Sequence, residues 1–299
     1  MINPKIYSLL RVAQYKSYTE AARQLSLTQP AVSQHIHQLE QELNIHIFER
    51  VNNELRITPQ GEIAVRYARR MVALYEGLKT AISSERQGVS DLAIGITHTA
   101  ESNPIAEALA KYTASHPGVH IKMITDTINN LYEKLRTFEL DLAVVEGRGN
   151  NPSLRYTLLD TDCLVLVTSV NHPLAKKGVV TADEIKKENL ILRLPDSNTR
   201  NLFTSHLQAS NLDLSDFNVI LEVDNIATIK DLVRRDFGVS VLAQSACLDE
   251  LKKGKIAAMP IENFSMMREI NLVYNNDFEK FDLLRDIIST YKDTVKTYS

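Results

Sequence analysis

The 299-residue chain is long enough for about two domains of ~150 residues, and its 44% hydrophobic and 24% charged residues exclude wholesale disorder. Its longest apolar run, as at Cys163–Val167, is about five residues where a membrane-spanning helix needs ~20, and two cysteines, Cys163 and Cys247, make no disulfide framework. The net charge of −3 hides a modest asymmetry: residues 1–90 hold 11 Lys/Arg against 8 Glu, while residues 91–299 hold 23 Lys/Arg against 29 Asp/Glu, so the basic end is the one suited to phosphates.

Asn3-Pro4 predicts an N-cap with proline at the first helical position, and Ile6, Leu9, Leu10 and Ala13 mark one face of that helix. Thr19 is the expected cap of a short second helix lined by Ala21, Ala22 and Leu25. Ser26-Leu27-Thr28 makes the turn, and Thr28 caps a third helix running to about Leu43, with Pro30 tolerated in its first turn. Val32, Ile36, Leu39 and Leu43 recur at helical spacing as its expected buried stripe. The other faces carry Gln29, Ser33, Gln34, His37 and Gln38 rather than the Glu/Lys pairs of a merely solvated helix. Such neutral groups both donate and accept, which suits base edges in a major groove. A short helix, a tight turn and an exposed polar helix make a helix-turn-helix. Ile47–Val51 and Glu54–Thr58 around Asn52-Asn53 read as a hairpin, hence a wing whose tip reaches the minor groove or the backbone. Arg50 and Arg56 are candidate phosphate ligands, with a surface ion pair as the alternative for each.

The run Ser17-Tyr18-Thr19-Glu20-Ala21-Ala22-Arg23-Gln24-Leu25, with Thr28-Gln29-Pro30-Ala31-Val32-Ser33, Leu39-Glu40, Leu43, Phe48-Glu49-Arg50, Leu55, Thr58 and Gly61, resembles the head of LysR-type transcriptional regulators. The likeness extends, less tightly, through the rest of the chain. It implies a winged helix-turn-helix, a long linker helix and a two-lobed α/β effector-binding domain of periplasmic-binding-protein type. It further implies that Gln29, Pro30 and Ser33 stand at the DNA-contacting start of the recognition helix. Gln34 stands where the family often has Arg, and Asn52-Asn53 where many members have a basic wing tip. The expected DNA-binding set is therefore Thr28, Gln29, Pro30, Ser33, Gln34, His37, Arg50, Asn52 and Asn53. The family also implies double-stranded DNA, a homotetramer built as a dimer of dimers, a small-molecule effector, and RNA polymerase as the machinery acted upon.

Thr58-Pro59 is again cap plus first-turn proline. Neither Pro nor Gly interrupts between Glu62 and Gly77, and the pattern continues to about Arg86, so the helix from Pro59 is about 28 residues or ~42 Å long. Tyr67, Met71, Leu74, Leu78 and Ala81 alternate spacings of 4 and 3, a heptad seam expected to form a homodimer; a core helix of the neighbouring domain is the alternative. A two-fold dimer presents two recognition helices to the half-sites of a pseudo-palindromic operator. Gln87-Gly88-Val89-Ser90 is the expected hinge. The expected domains are 1–58, a linker at 59–87, and 88–299.

From Asp91 short apolar strands alternate with amphipathic helices: strands near 92–96, 119–125, 141–145, 163–170, 190–194, 219–223, 239–243 and 269–274, which implies parallel βαβ units. The resemblance implies that the last segment returns to the first lobe, giving lobes at 91–161 plus 268–299 and at 162–267. Ligands in open α/β sheets sit beyond the C-terminal strand ends, near helix N-termini. The expected effector set is Thr97, Thr99, Glu146, Ser197, Thr199, Arg200 and Asn225, with Arg200 and the hydroxyls suited to a small anion or carboxylate. Ser197, Thr199 and Arg200 resemble the Gly-Ser-Gly-Thr-Arg stretch of some family members, with Asp196 and Asn198 in place of glycine. Asp196 sets a negative charge beside that site. The plainer alternatives are N-capping for Ser197 and Thr199, a helix carboxylate as partner for Arg200, a surface role for His98, and lobe orientation for Glu146.

No Gly-x-Ser-x-Gly elbow, P-loop, His-Glu-x-x-His or Cys-x-x-Cys occurs, and the eight histidines are dispersed, so no catalytic residue, metal or cofactor is expected. Residues 1–5 lack the charged and apolar regions of an export signal, which makes the cytoplasm the expected address. Two alternatives remain open: a cytoplasmic solute-binding module, and a redox-responsive regulator acting through Cys247, which lies near a helix start, while Cys163 reads as core.

Overall fold

In the computed structural model, which describes residues 2–52, 54–87, 90–100 and 104–298, the chain divides into two units, 1–91 with 133–139 and 92–132 with 140–299. The first unit opens as the sequence predicts. Asn3 Oδ1 accepts from the Lys5 amide at 3.1 Å and α1 runs Pro4–Tyr15. Helix α2, Tyr18–Leu25, is capped by Ser17 rather than Thr19: the Glu20 amide donates to Ser17 Oγ at 3.2 Å. Thr19 has the same chemistry but already lies inside the first turn. Helix α3, Gln29–Leu43, is capped by Thr28, which accepts from the Ala31 amide at 3.3 Å. Lys16, Ser26 and Asn44 end the three helices in the left-handed region (φ 49°, 55° and 52°), so the chain turns tightly without glycine.

Strands β1, Phe48–Val51, and β2, Glu54–Ile57, pair antiparallel. Helix α4, Pro59–Gln87, follows directly. Val12, Ala21, Ala22, Val32, Ile36, Ile47 and Phe48 form the core of this unit. Alanines at 21 and 22 let α2 press close to its neighbours. Of the expected α3 stripe, Val32, Ile36 and Leu39 are buried but Leu43 is half exposed, because it falls in the last turn, past the helices that cover the others. Helix α4 has two apolar sides. Val65 and Ala68 join the head core. The expected seam residues Tyr67, Met71, Leu74 and Leu78, together with Ile63 and Ile82, are each 50–55% exposed. The expected hinge residues Gly88 and Val89 lie outside the described residues.

The second unit comprises β3 (Ser90–Ile96), α5 (Ile105–Ser115), β4 (Val119–Thr125), α6 (Ile128–Arg136), β5 (Leu142–Glu146), β6 (Leu154–Ser169), α7 (Ala182–Ile185), β7 (Asn189–Arg193), α8 (Asn198–Ala209), β8 (Asn218–Val223), α9 (Ile226–Arg234), β9 (Val239–Ala243), α10 (Leu248–Lys252), β10 (Ile256–Met259), β11 (Met267–Asn275) and α11 (Phe281–Lys296), the terminal residues of β3 and α6 being grouped with the first unit. The strands are hydrogen-bonded in the order β4-β3-β5-β11-β6-β9-β7-β8, with β10 also on β6. The pairs β3/β5, β7/β8 and β7/β9 are parallel, as alternating strands and helices predict. The exceptions are β6 and β11, which pair antiparallel with each other and with β9, β10 and β5.

Strand β6 begins nine residues before the expected Cys163. Its first half, Leu154–Asp162, is broken by Arg155, Thr157, Asp160 and Asp162, which hides it from an apolar-run criterion; pairing with β11 defines it instead. Its second half, Leu164–Ser169, is wholly buried. One core contains Leu92, Ile94, Leu109, Leu142, Leu272 and Tyr291, the other Leu166, Ile191, Phe203, Ile229, Val241 and Ile256. Each fully buried side chain of this kind is worth ~1.5–3 kcal/mol before entropic costs. Strand β6 therefore contributes to both cores, with Leu159 in the first and Leu164–Val167 in the second, and β11 joins it to β5.

Candidate nucleic-acid interface and ligand cleft

The exposed side of α3 is built by what its buried side does. Val32, Ile36 and Leu39 face the core, and His35 also turns inward, where its Nδ1 shares a 2.7 Å hydrogen bond with Ser8 Oγ on α1. The opposite side leaves Gln29, Pro30, Ser33, Gln34 and His37 exposed, with Thr28 exposed at the cap. Gln41 Nε2 donates to His37 Nε2 at 3.0 Å, fixing that ring one turn further along. All but one of these groups offer side-chain hydrogen bonds, and none is held by the core.

The wing is braced from beneath. Glu40 Oε1 accepts from the amides of Ile47 (2.8 Å) and Phe48 (3.4 Å), tying β1 to α3. Thr58 Oγ1 donates to the His46 carbonyl at 2.6 Å and accepts from the Gly61 amide at 2.9 Å. A Cβ on Gly61 would stand 2.1 Å from the Ile47 carbonyl oxygen, so only glycine lets α4 start so close to the wing. Phe48 meets Tyr18 edge-on, with ring centroids 6.1 Å apart. Asn52 takes the left-handed turn position (φ 50°), and its expected companion Asn53 lies outside the described residues. Arg50 is exposed; Arg56 is paired with Glu54 at 3.2 Å, the alternative anticipated for it.

In the second unit a cleft of about 390 Å³ opens at the strand ends. One wall is Thr97–Thr99, Asp126–Asn129, Tyr132 and Glu146–Gly149; the other is Arg193 and Asp196–Asn198. Thr97 Oγ1 donates to Glu146 Oε1 at 2.7 Å and accepts from the Ala100 amide at 3.1 Å, and both side chains are buried. Gly147 turns the chain after β5 with φ 78°. Burial and its neighbour Tyr156 push the Tyr132 hydroxyl well above the usual tyrosine range.

Of the expected effector residues, Thr97, Thr99, Glu146 and Ser197 line this cleft; Thr199, Arg200 and Asn225 do not. Helix α8 starts at Asn198, so Ser197 is its cap, the plainer alternative anticipated for it, accepting from the Arg200 amide at 3.2 Å. That winds Thr199 into the interior, where Arg268 Nη1 donates to its Oγ1 at 3.4 Å. Arg200 turns aside to pair with Glu222 and to donate to the Arg193 carbonyl. Asn225 caps α9, accepting from the Thr228 amide at 3.1 Å. Residues 101–103, in the loop after β3, lie outside the described residues.

The residue the sequence reading missed is Arg193. It is the last residue of β7 and only 3% exposed. Its Nη2 donates to Asp224 Oδ1 at 3.2 Å, while Nε and Nη1 meet no hydrogen-bond partner among the described residues. Burial, the largest influence, holds the guanidinium below the usual arginine range, opposed by the charges of Asp224 and Glu146. A buried donor left unmet costs ~1–3 kcal/mol, and more when charged. The available signal was a lone arginine closing the run Asn-Leu-Ile-Leu-Arg, at a strand C-terminus.

Behind the cleft, where β6 and β11 meet, Asp162 and Arg268 form a buried ion pair at 2.8 Å. Asp162 also accepts from the Ser245 amide and hydroxyl at 3.0 and 2.9 Å. Arg268, through Thr199, joins this pair to the first turn of α8. The cysteines reverse their expected roles. Cys247 is fully buried and its thiol is pushed up to about 12, the opposite of an activated thiolate. Cys163, expected in the core, is half buried and donates to Gln244 Oε1 at 3.0 Å.

Residues 5–62 match the bacterial regulatory helix-turn-helix protein family of LysR type, and residues 85–295 match the LysR substrate binding domain. A probable RuBisCO transcriptional regulator of Thalassiosira pseudonana is 28% identical over 272 residues, covering 89% of each chain. Among solved structures, a cysteine-to-aspartate variant of full-length OxyR from Pseudomonas aeruginosa aligns with a TM-score of 0.67 at 20% identity, over 98% of this chain and 95% of that one. Full-length CbnR complexed with its target DNA aligns with a TM-score of 0.68 at 14% identity, over 98% of this chain and 100% of that one. No helix among the described residues is long and apolar enough to cross a membrane.

Proposed function

The chain belongs to the LysR family of transcriptional regulators, with a DNA-binding helix-turn-helix head and an effector-binding domain, and on that premise we propose which residues read DNA, which receive the effector and how copies assemble. The exposed side of α3 enters the major groove, with Gln29, Ser33, Gln34 and His37 at base edges and Thr28 and Pro30 at its leading end. Arg50 neutralises a phosphate, and Asn52 carries the wing tip to the backbone. The complex of CbnR, which shares this fold, with its target DNA supports duplex DNA as the partner.

The α4 stripe of Ile63, Tyr67, Met71, Leu74, Leu78 and Ile82 is the seam of a homodimer, because six half-exposed large apolar side chains along one helix are costly to leave in water. Two such dimers form the tetramer on a pseudo-palindromic operator. The complex acts on RNA polymerase in the cytoplasm and performs no catalysis. A small molecule in the cleft selects one of two arrangements of the α/β domain. It shifts the equilibrium only by the difference in its affinity for the two.

The observation that carries the effector assignment is Arg193, a buried guanidinium on the cleft wall with two donors unmet among the described residues. It supports a ligand bearing an anionic group. The test is thermal unfolding of the full chain with carboxylates, amino acids, inorganic phosphate and sulfate, and sugar phosphates. A ligand at ~100 times its Kd adds ~2.7 kcal/mol and raises the midpoint visibly. Arg193→Gln is expected to abolish the response. A response that survives in Arg193→Gln would remove the ligand from this cleft.

A further inference from the structure

Resting on the reading of the cleft as the effector site, we infer that its ligand is a zwitterion of the α-amino-acid type, whose carboxylate meets Arg193 and whose ammonium meets Glu146. The cleft lining is mixed in charge. Arg193 and Arg148 face three carboxylates, Asp126, Glu146 and Asp196. A simple anion seated on Arg193 would therefore enter among more negative than positive side chains, in a partly desolvated space where repulsion is poorly screened. A simple amine would leave the Arg193 donors unmet. A ligand that carries an ammonium and a carboxylate on one carbon satisfies the two walls together.

The geometry favours Glu146 over the other two acids. Asp126 Oδ1 already accepts from the Thr127 amide at 2.8 Å and from Asn130 Nδ2 at 2.7 Å. Asp196 is exposed, where water screens it. Glu146 is buried, and its Oε1 is steadied by Thr97, which orients the group while a carboxylate retains further acceptor capacity. Its charge also acts on the Arg193 guanidinium from the other wall, while the ion pair of Arg193 is with Asp224. The two walls thus offer a buried donor set and a buried acceptor within electrostatic reach of each other. Most of the remaining lining is hydroxyl and amide, from Thr99, Thr127, Asn129, Tyr132, Ser197 and Asn198, with His98 and Ile128 beside them, which suits a small and mainly polar side group.

The experiment is calorimetric titration of the full chain with each proteinogenic L-amino acid, backed by thermal unfolding. Each hit is repeated with its des-amino carboxylic acid and its decarboxylated amine, beside inorganic phosphate, sulfate and neutral sugars. At least one amino acid is expected to bind, and removing either charge is expected to weaken it on the order of 30-fold or more. Glu146→Gln keeps an acceptor for Thr97, and is expected to erase the preference for the amino acid over its des-amino analogue; Arg193→Gln is expected to abolish both. The wild-type comparison needs no variant, and so stands if either variant fails to fold. An inorganic anion or sugar that binds in place of every amino acid, with binding lost in Arg193→Gln, overturns the zwitterion and keeps the cleft as effector site. A response unchanged in both variants overturns the two readings together. No binding by any amino acid overturns the zwitterion outright.

Discussion

The head and the cleft assign their functional groups in opposite ways. On α3 the candidate reading groups are adjacent in sequence, exposed, and left free by a core that takes only the other side of the helix. In the cleft the groups come from the ends of β3, β5 and β7 and the start of α8, about a hundred residues apart, and the two most informative, Glu146 and Arg193, are buried. A site that must meet a macromolecule is set out on one element. A site that must enclose a small molecule is assembled by the fold.

That contrast is broken most severely at the α4 seam. Replacing Leu74 and Leu78 by Asp is expected to give monomers in sedimentation equilibrium. Loss of the paired heads should weaken operator binding by ~10²–10⁴-fold, since the second half-site then no longer binds intramolecularly. A persistent dimer would mean that another surface joins the copies. Ser33→Ala or Gln29→Ala should cost ~1–3 kcal/mol for each base edge no longer hydrogen-bonded, read as reduced discrimination between operator and scrambled duplex, with the melting midpoint unmoved. Unchanged discrimination would return those side chains to solvent.

Gly61→Ala separates packing from reading within the head. Its Cβ clashes with the Ile47 carbonyl, so destabilisation of ~1–3 kcal/mol is expected in denaturant unfolding. Arg56→Ala should change stability by less than ~1 kcal/mol, because its partner Glu54 is itself exposed.

The smallest expected effect concerns Cys247. Iodoacetamide at neutral pH should leave it unmodified in the folded chain. Its folded pKa of about 12 lies above the ordinary 9.0, so the fold favours the neutral thiol. The associated stability is complete below the unfolded pKa and is lost as pH rises from there through the folded value. Rapid labelling of Cys247 would reinstate a redox role.

The sequence was read most completely where one local signal decided the outcome. Caps at Asn3 and Thr28, first-turn prolines at 4, 30 and 59, and β4 to the residue all follow from short-range chemistry. The residues that carry the family resemblance divide into two groups. Ala21, Ala22, Glu40, Phe48, Thr58 and Gly61 hold the head together, whereas Gln29, Pro30 and Ser33 are left exposed. What failed depended on tertiary partners. Leu43 has helical spacing but nothing above it. The polar half of β6 is a strand because β11 pairs with it. The motif at Thr199 and Arg200 points to the cleft, but starting α8 at Asn198 turns them away from it and leaves Arg193 there. A buried charge reads as a mistake in an apolar strand until the opposite wall is known.

The central claim, that paired α3 faces read DNA, is tested most directly by selection of binding sites from random duplexes with the full chain, in parallel with Gln34→Arg. The expected product is an inverted repeat whose half-sites are ~10–10.5 base pairs apart, or a multiple of that. Gln34→Arg is expected to change the preferred base at the same position of both half-sites, towards guanine. Enrichment of an unpaired motif, or an identical repeat for both proteins, would contradict the claim.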